Sequence, residues 1–322
     1  MLCRTASELY WMSRHIERAE NTARLIDLTQ RIALLPERLE RGKAGAACWL
    51  RALEALGVDE EYLARHDKVD GDDVLRFLTL DPANPSSIYS CLQLARESGR
   101  AQRGAITAEM YQDLNASWLE ILGLNWEQLI SNGVSPFLDW VKTRSASFRG
   151  VTVGTMGRDE AYDFLRLGTF VERADCTVRM LDIKYAEAHG EEEREARSAV
   201  QYYQWSALLH AISAFETYRK IYKDTIQPVR VAELIILRDD MPRSLAVCCN
   251  AIHATLTTLA GGAKVEAIRL SGALAAEVRF ARIDAILAQG MHEYLTHFLE
   301  RTHQLADEIG RQFMWSTDLA AA

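Results

Sequence analysis

At 322 residues, with 48% hydrophobic and 25% charged residues, the chain has the make-up of a globular protein with room for a sizeable core, as one large domain or two ordinary ones. A formal net charge of −8 and a pI of about 5.6 argue against a nucleic-acid backbone as partner. No apolar run reaches the roughly 18 residues that crossing a bilayer requires, so no membrane role is expected.

The leading segment MLCRTASELYW has no apolar signal core and enters a helix almost at once. The six cysteines (Cys3, Cys48, Cys91, Cys176, Cys248, Cys249) show no CxxC and no paired spacing. Reduced thiols in a cytoplasmic protein are therefore expected, without a disulfide frame or a zinc site. Only six prolines, with abundant Ala, Leu, Glu and Arg, predict an all-α chain.

In chain order, Thr5 and Glu8 have capping-box spacing and place the start of helix one near Ser7, to run to about Leu35 before Pro36. A charged segment leads to a helix over Cys48 to Leu56, then short helices over Asp59–Ala64 and Asp72–Leu80. Asn84 reads as an N-cap with Pro85 at the first helical position, and Gly99 and Gly104 predict a break before Ile106 to Leu122. Ser135-Pro136 opens a helix to about Phe148, and RGVTVGTMGRD reads as a turn. Asp159 caps a long helix to about His189, and EEEREAR starts the next. Helices over Val265–Gln289 and Met291–Met314 should pair as an antiparallel hairpin around Gly290.

The strongest pattern is a repeat. Leu9 to Asp27 (LYWMSRHIERAENTARLID) aligns without a gap on Phe164 to Asp182 (FLRLGTFVERADCTVRMLD), 155 residues later. Apolar residues fall at Leu9, Met12, Ile16, Ala19, Ala23 and Ile26, and again at Phe164, Leu167, Val171, Ala174, Val178 and Leu181, one face of a helix in each copy. Trp49 matches Trp205, Pro85 matches Pro242, and Cys91 matches Cys248 at nearly the same offset. The expectation is one all-α domain, a helical bundle of two tandem pseudo-repeats, 1–150 and 151–322.

The stripe residues interchange between copies, whereas Glu17/Glu172, Arg18/Arg173, Thr22/Thr177, Arg24/Arg179 and Asp27/Asp182 are identical and lie off the stripe. Exposed i,i+4 ion pairs contribute only about 0.3–0.5 kcal/mol and tolerate loss. Retention in both halves leaves two readings open, buried ion pairing between the halves or a ligand- or partner-binding site. Arg14, Glu17, Arg18, Asn21 and Arg24 share the polar side of helix one, and Arg96, Glu97, Arg100 and Arg103 recur at helical spacing. With Glu172, Arg173, Arg179 and Arg243 they are the candidate binding residues, arginine forks suiting a ligand's carboxylate and glutamates its amine. As general acid or base the candidates are Glu17, Glu172 and Glu97.

Other chemistry finds little support. His292, Glu293 and His297 form HExxxH, whose five-residue step turns the histidines to diverging faces, and the ExxH of Glu300 and His303 has no second copy. No metal or cofactor is expected. GxSxG, Walker and GxGxxG motifs do not occur, and Gly154 and Gly157 read more simply as a turn than as a phosphate seat.

The motifs ERAENTAR (Glu17 to Arg24) and ERADCTVR (Glu172 to Arg179), with NPSSI, RESGRAQRGAI and MPRSL, resemble the alpha-E family over essentially the whole chain. This sequence departs from the family's pattern at Ser98, where asparagine is expected, and at Cys176, opposite Asn21. The resemblance implies an all-helical companion of a circularly permuted ATP-grasp ligase, with a transglutaminase-like protein and a proteasome-like peptidase as further associates. The expected function is an accessory or substrate-positioning subunit for peptide or amide bond formation. The alternatives are an enzyme acting on such bonds itself, and a scaffold.

Overall fold

The computed structural model describes residues 1–34, 43–186 and 194–314, and these contain helices and no β-strand. Sixteen helices follow one another: α1 Cys3–Ala33, α2 Lys43–Leu56, α3 Asp59–Leu63, α4 Gly71–Thr79, α5 Ile88–Ala101, α6 Ala108–Leu122, α7 Trp126–Ser131 and α8 Val134–Thr155. Then come α9 Glu160–Ala186, α10 Arg194–Ala211, α11 Phe215–Tyr222, α12 Pro228–Ile236, α13 Leu245–Leu259, α14 Glu266–Phe280, α15 Ile283–Gln289 and α16 Met291–Ile309, which ends in a π turn, Gly310–Met314.

The two long helices α1 and α9 pack on each other at the centre. Around α1 stand α5, α8, α10 and α2; around α9 stand α13, α16, α10 and α2. All twelve stripe residues are buried, and each large one contributes about 1.5–3 kcal/mol. Burial does not stop at the stripe. Glu17, Glu20, Asn21, Thr22 and Arg24 are buried too, as are Glu172, Arg173 and Thr177. A helix buried this far beyond its apolar stripe must find partners for those polar residues inside the protein.

The crossing of α1 and α9 is tight at one point. A Cβ on Gly168 would lie 2.2 Å from the Tyr10 carbonyl oxygen and 2.2 Å from Ser13 Oγ. Only glycine lets the helices approach so closely there.

Several local settings recur at the spacing of the sequence repeat. Ser87 caps α5 by accepting from Ser90 N at 3.1 Å, and Ser244 caps α13 by accepting from Val247 N at 3.1 Å. The Tyr62 hydroxyl donates to Lys68 O at 3.3 Å, and that of Tyr218 to Thr225 O at 3.0 Å. Gly57 (φ 65°) and Ser213 (φ 57°) both turn the chain in the left-handed region after α2 and α10.

Some boundaries differ from expectation. Helix α1 begins at Cys3 with no side-chain cap, and the expected end at Leu35 lies outside the described residues, as do His189 and the EEE of EEEREAR. Ser87, not Asn84, caps α5; Asn84 instead donates to Phe77 O at 3.0 Å and accepts from Ser86 N at 2.9 Å, shaping the preceding turn. Helix α8 runs on through RGVTVGT, so the turn is confined to Met156–Asp159 and the boundary placed at 150 falls inside a helix. Gly150 and Gly154 meet nothing within 4 Å and sit on its open side, where a helix tolerates them. The expected Val265–Gln289 helix is broken at Ala281–Arg282, where the backbone becomes extended.

Candidate functional site

The polar residues of α1 and α9 meet in two adjacent clusters. In the first, Glu17 is 1% exposed and accepts a two-pronged bond from Arg173 across the helix interface, 2.8 Å to Oε1 and 2.9 Å to Oε2. Arg149 on α8 adds 3.0 Å to Oε2, and Arg243, just before α13, adds 3.1 Å to Oε1. One turn on, Glu20 receives Arg24 at 2.9 Å and Ser145 at 2.6 Å, together with short contacts from Arg149 and Arg243. Arg24 reaches on to Ala211 O at 2.5 Å and Ser213 Oγ at 3.0 Å, tying α1 to the turn after α10.

The second cluster reverses the roles of the helices. Glu172 on α9 receives Arg18 of α1, Nε to Oε1 at 2.6 Å and Nη2 to Oε2 at 3.1 Å, and Arg14 at 2.8 Å. Each Glu-Arg pair of one helix is thus bonded to the Glu-Arg pair of the other. Asp175 accepts from Arg179 at 2.6 Å and contacts His303 Nε2 of α16 at 2.7 Å, while Arg179 Nη1 donates to Ala55 O at 2.8 Å. Ala55 and Ala211 lie 156 residues apart and receive corresponding arginines.

Burial pushes the Glu17 carboxyl up, but the charges of Arg173 and Arg243 outweigh it and hold the group below the usual range. Glu172 is likewise raised by burial and lowered further by Arg14 and Arg18. For Asp175, burial is overcome by the His303 hydrogen bond and Arg179, and the carboxyl falls to about 2. His15, on the same helix, is pushed down to about 4 by burial and by Arg18. These carboxylates are anions locked by guanidinium groups. A carboxyl held below the usual range and already bonded by arginines does not gain a proton near neutrality, as a general acid there must.

A model of a predicted alpha-helical domain with a conserved ER motif, Alpha-E, matches residues 1–314. The chain belongs to the Alpha-E family. The Glu-Arg pairs that recur in the sequence repeat, Glu17-Arg18 and Glu172-Arg173, interlock α1 with α9. Comparison with curated proteins and with solved structures returns no match.

The other candidate residues divide clearly. Arg14, Arg18, Asn21, Glu172 and Arg179 line a cavity of about 250 Å³ beside the second cluster, with Thr22, Ser86, Asp175, Cys176 and His303. Glu17, Arg24, Arg173 and Arg243 belong to the first cluster, whose glutamates are buried although Arg173 and Arg149 also border a separate cavity of about 220 Å³. Arg96, Glu97, Arg100 and Arg103 are not brought to either. Glu97 pairs with Arg96 and Arg100 on the surface of α5, Arg96 reaches Asn115 at 3.3 Å, and Arg103 lies over the Tyr111 ring at 3.9 Å.

Sequence reasoning missed Arg149, Ser145 and His303. Arg149 and Ser145 lie 129 and 125 residues from Glu20, and His303 lies 128 from Asp175, so no local spacing signals these contacts. The histidines of HExxxH part as expected of that step: His292 contacts Asp182 at 2.7 Å, and His297 is 3.8 Å from Glu300.

Proposed function

We propose that this Alpha-E protein is a helical accessory subunit of an ATP-grasp peptide or amide ligase, which docks the ligase and positions its substrate. The observation that carries the reading is the placement of these two glutamates: each is buried and bonded by arginines of the opposite central helix. Residues that would be the acid–base pair of an enzyme serve instead as struts of a rigid frame. Burial pushes the Cys91 and Cys248 thiols up to about 12, so neither is an activated nucleophile. The ligase itself comes from the family resemblance, and supplies the nucleotide chemistry that this chain has no motif for.

The same reading takes residues 1–150 and 151–322 as tandem copies whose first helices are braced by the exchange of Glu–Arg pairs. The recurring caps, tyrosine bonds and left-handed turns at 155–157 residue spacing support it.

Sedimentation of the chain titrated with its cognate circularly permuted ATP-grasp protein, with and without nucleotide, tests the proposal. A stable complex is expected with a dissociation constant below about 10 μM, or roughly −7 kcal/mol. Separate boundaries at all concentrations up to tens of micromolar would refute the accessory role.

A further inference from the structure

The two clusters differ at one place in a way that leaves space. Arg243 fills the first cluster: its guanidinium lies against Glu17, Glu20 and Asn21, and the residue is buried. At the matching position of the first half, 157 residues earlier between Pro85 and Ser87, stands Ser86. Ser86 lines the 250 Å³ cavity at the second cluster, so the room that a long side chain takes in one cluster is open in the other.

The chemistry of the walls selects the guest. Asn21 Oδ1 accepts from Arg243 at 3.1 Å, and its amide Nδ2 donates across to Glu172 O on α9 at a long 3.5 Å, which leaves one of its two N–H groups unspent. Arg18 spends Nε and Nη2 on Glu172 and leaves Nη1 unbonded; Arg14 spends Nε and Nη1 on Glu172 and Tyr10 and leaves Nη2. Thr22, fully buried on the cavity wall, has a hydroxyl with no hydrogen-bond partner, whereas its counterpart Thr177 donates to Arg243 O at 3.1 Å. An unsatisfied buried hydroxyl is costly unless something else meets it.

Four sets of unspent donors therefore meet on one cavity, while both acids on its wall already carry arginine or histidine partners. Glu172 and Asp175 give two negative charges against three positive ones on Arg14, Arg18 and Arg179. A cation in the manner of Arg243 would find Cys176 where Arg243 has the Asn21 carbonyl, and sulfur is a weak acceptor. An added carboxylate would meet spare guanidinium N–H groups in the geometry arginine favours and would balance the charge.

We propose that this cavity is a binding site for the carboxylate of a small organic acid of amino-acid size, held by Arg14, Arg18, Asn21 and Thr22. Its volume is just under the usual range of small-molecule pockets, about 300–1,000 Å³, which suits a ligand of that size. The site stands whether or not the chain docks a ligase.

The test is calorimetric titration of the full chain with L-glutamate, glutarate and methylguanidinium at constant ionic strength. The acids should bind saturably, with a dissociation constant of about 1 mM or tighter, and methylguanidinium should not. Thr22→Val keeps the side-chain shape and should weaken the acids roughly tenfold, the loss of one hydrogen bond to a charged group. Ser86→Arg should fill the cavity as Arg243 fills its own cluster and abolish binding. No saturable binding of either acid up to about 10 mM, preferential binding of methylguanidinium, or unchanged acid affinity in Thr22→Val would each overturn the proposal. The last outcome does not depend on whether Ser86→Arg folds.

Discussion

Replacing Glu17 by glutamine keeps the side-chain shape and removes one charge from a buried position at the middle of the first cluster. Arg173 and Arg243, with side chains 10% and 9% exposed, would keep their charges beside a neutral amide that can no longer accept from both. Breaking a buried pair from one side costs about 3–5 kcal/mol, chiefly because the remaining charge is stranded. With an unfolding entropy of about 2.1 cal/mol/K per residue, a 322-residue cooperative unit should lose about 4–7 °C in Tm. Glu172→Gln is the informative comparison. Its partners Arg14 and Arg18 are 14% and 24% exposed and border the open cavity, where water can take over part of their solvation. The loss there should be about 1.5–3 kcal/mol, the worth of hydrogen bonds to a charged group, or about 2–4 °C by the same entropy. Differential scanning calorimetry of both variants at pH 7 reads the two shifts. A double-mutant cycle with Arg173→Gln should give Glu17 and Arg173 a coupling energy of about 0.5–3 kcal/mol. Shifts below 1 °C in both variants, or a larger loss at Glu172 than at Glu17, would refute the assignment of a dry strut and a wetter one.

Further outcomes follow from the same geometry. Gly168→Ala should destabilise the protein by about 3 kcal/mol or more, because its Cβ would overlap the backbone oxygen of Tyr10 and the two central helices must separate; chemical denaturation reads this, and a change below 1 kcal/mol would contradict the close crossing. Acid should weaken the fold in two stages. His15 titrates near 4 in the folded chain against 6.5 ordinarily, so stability falls as pH drops from about 6.5 to 4, by about 2–3 kcal/mol at most for a half-buried ring. The depressed Glu17 and Glu172 then release their contribution as pH falls below the usual carboxylate range through their folded values. His15→Gln should flatten the upper stage alone, as measured by melting temperature against pH. Among the six cysteines only Cys3 is exposed, so a native thiol assay should find one fast-reacting group, with the other five appearing on denaturation.

Some of this was legible in the sequence. The three-four spacing of Leu9, Met12, Ile16 and their later counterparts marks helices because a buried face needs apolar volume at that period. The paired Glu17-Arg18 and Glu172-Arg173 stood out because charges off the stripe recur unchanged. Their reciprocal bonding did not, since it depends on how α1 and α9 cross, and the close approach at Gly168 was not marked by any periodicity. The break at Ala281–Arg282 carries no proline or glycine, and helix α8 continues through two glycines on its open side, so local propensity marked neither place. The cavity was the least visible feature. It arises from a serine standing where a distant arginine stands in the other cluster, and only the folded chain brings the two settings into comparison.

The accessory role is tested most directly by turnover. The purified chain, the ATP-grasp protein and their mixture should each be supplied with ATP, magnesium and an amino-acid or peptide substrate, and bond formation followed together with ADP release. The account predicts no turnover by the chain alone, and ligase turnover that rises with added chain up to a stoichiometric equivalence point and then stays flat. Formation or cleavage of amide bonds by the chain alone, lost on Glu17→Gln or Glu172→Gln in molecules shown to be folded, would contradict it and make these carboxylates catalytic.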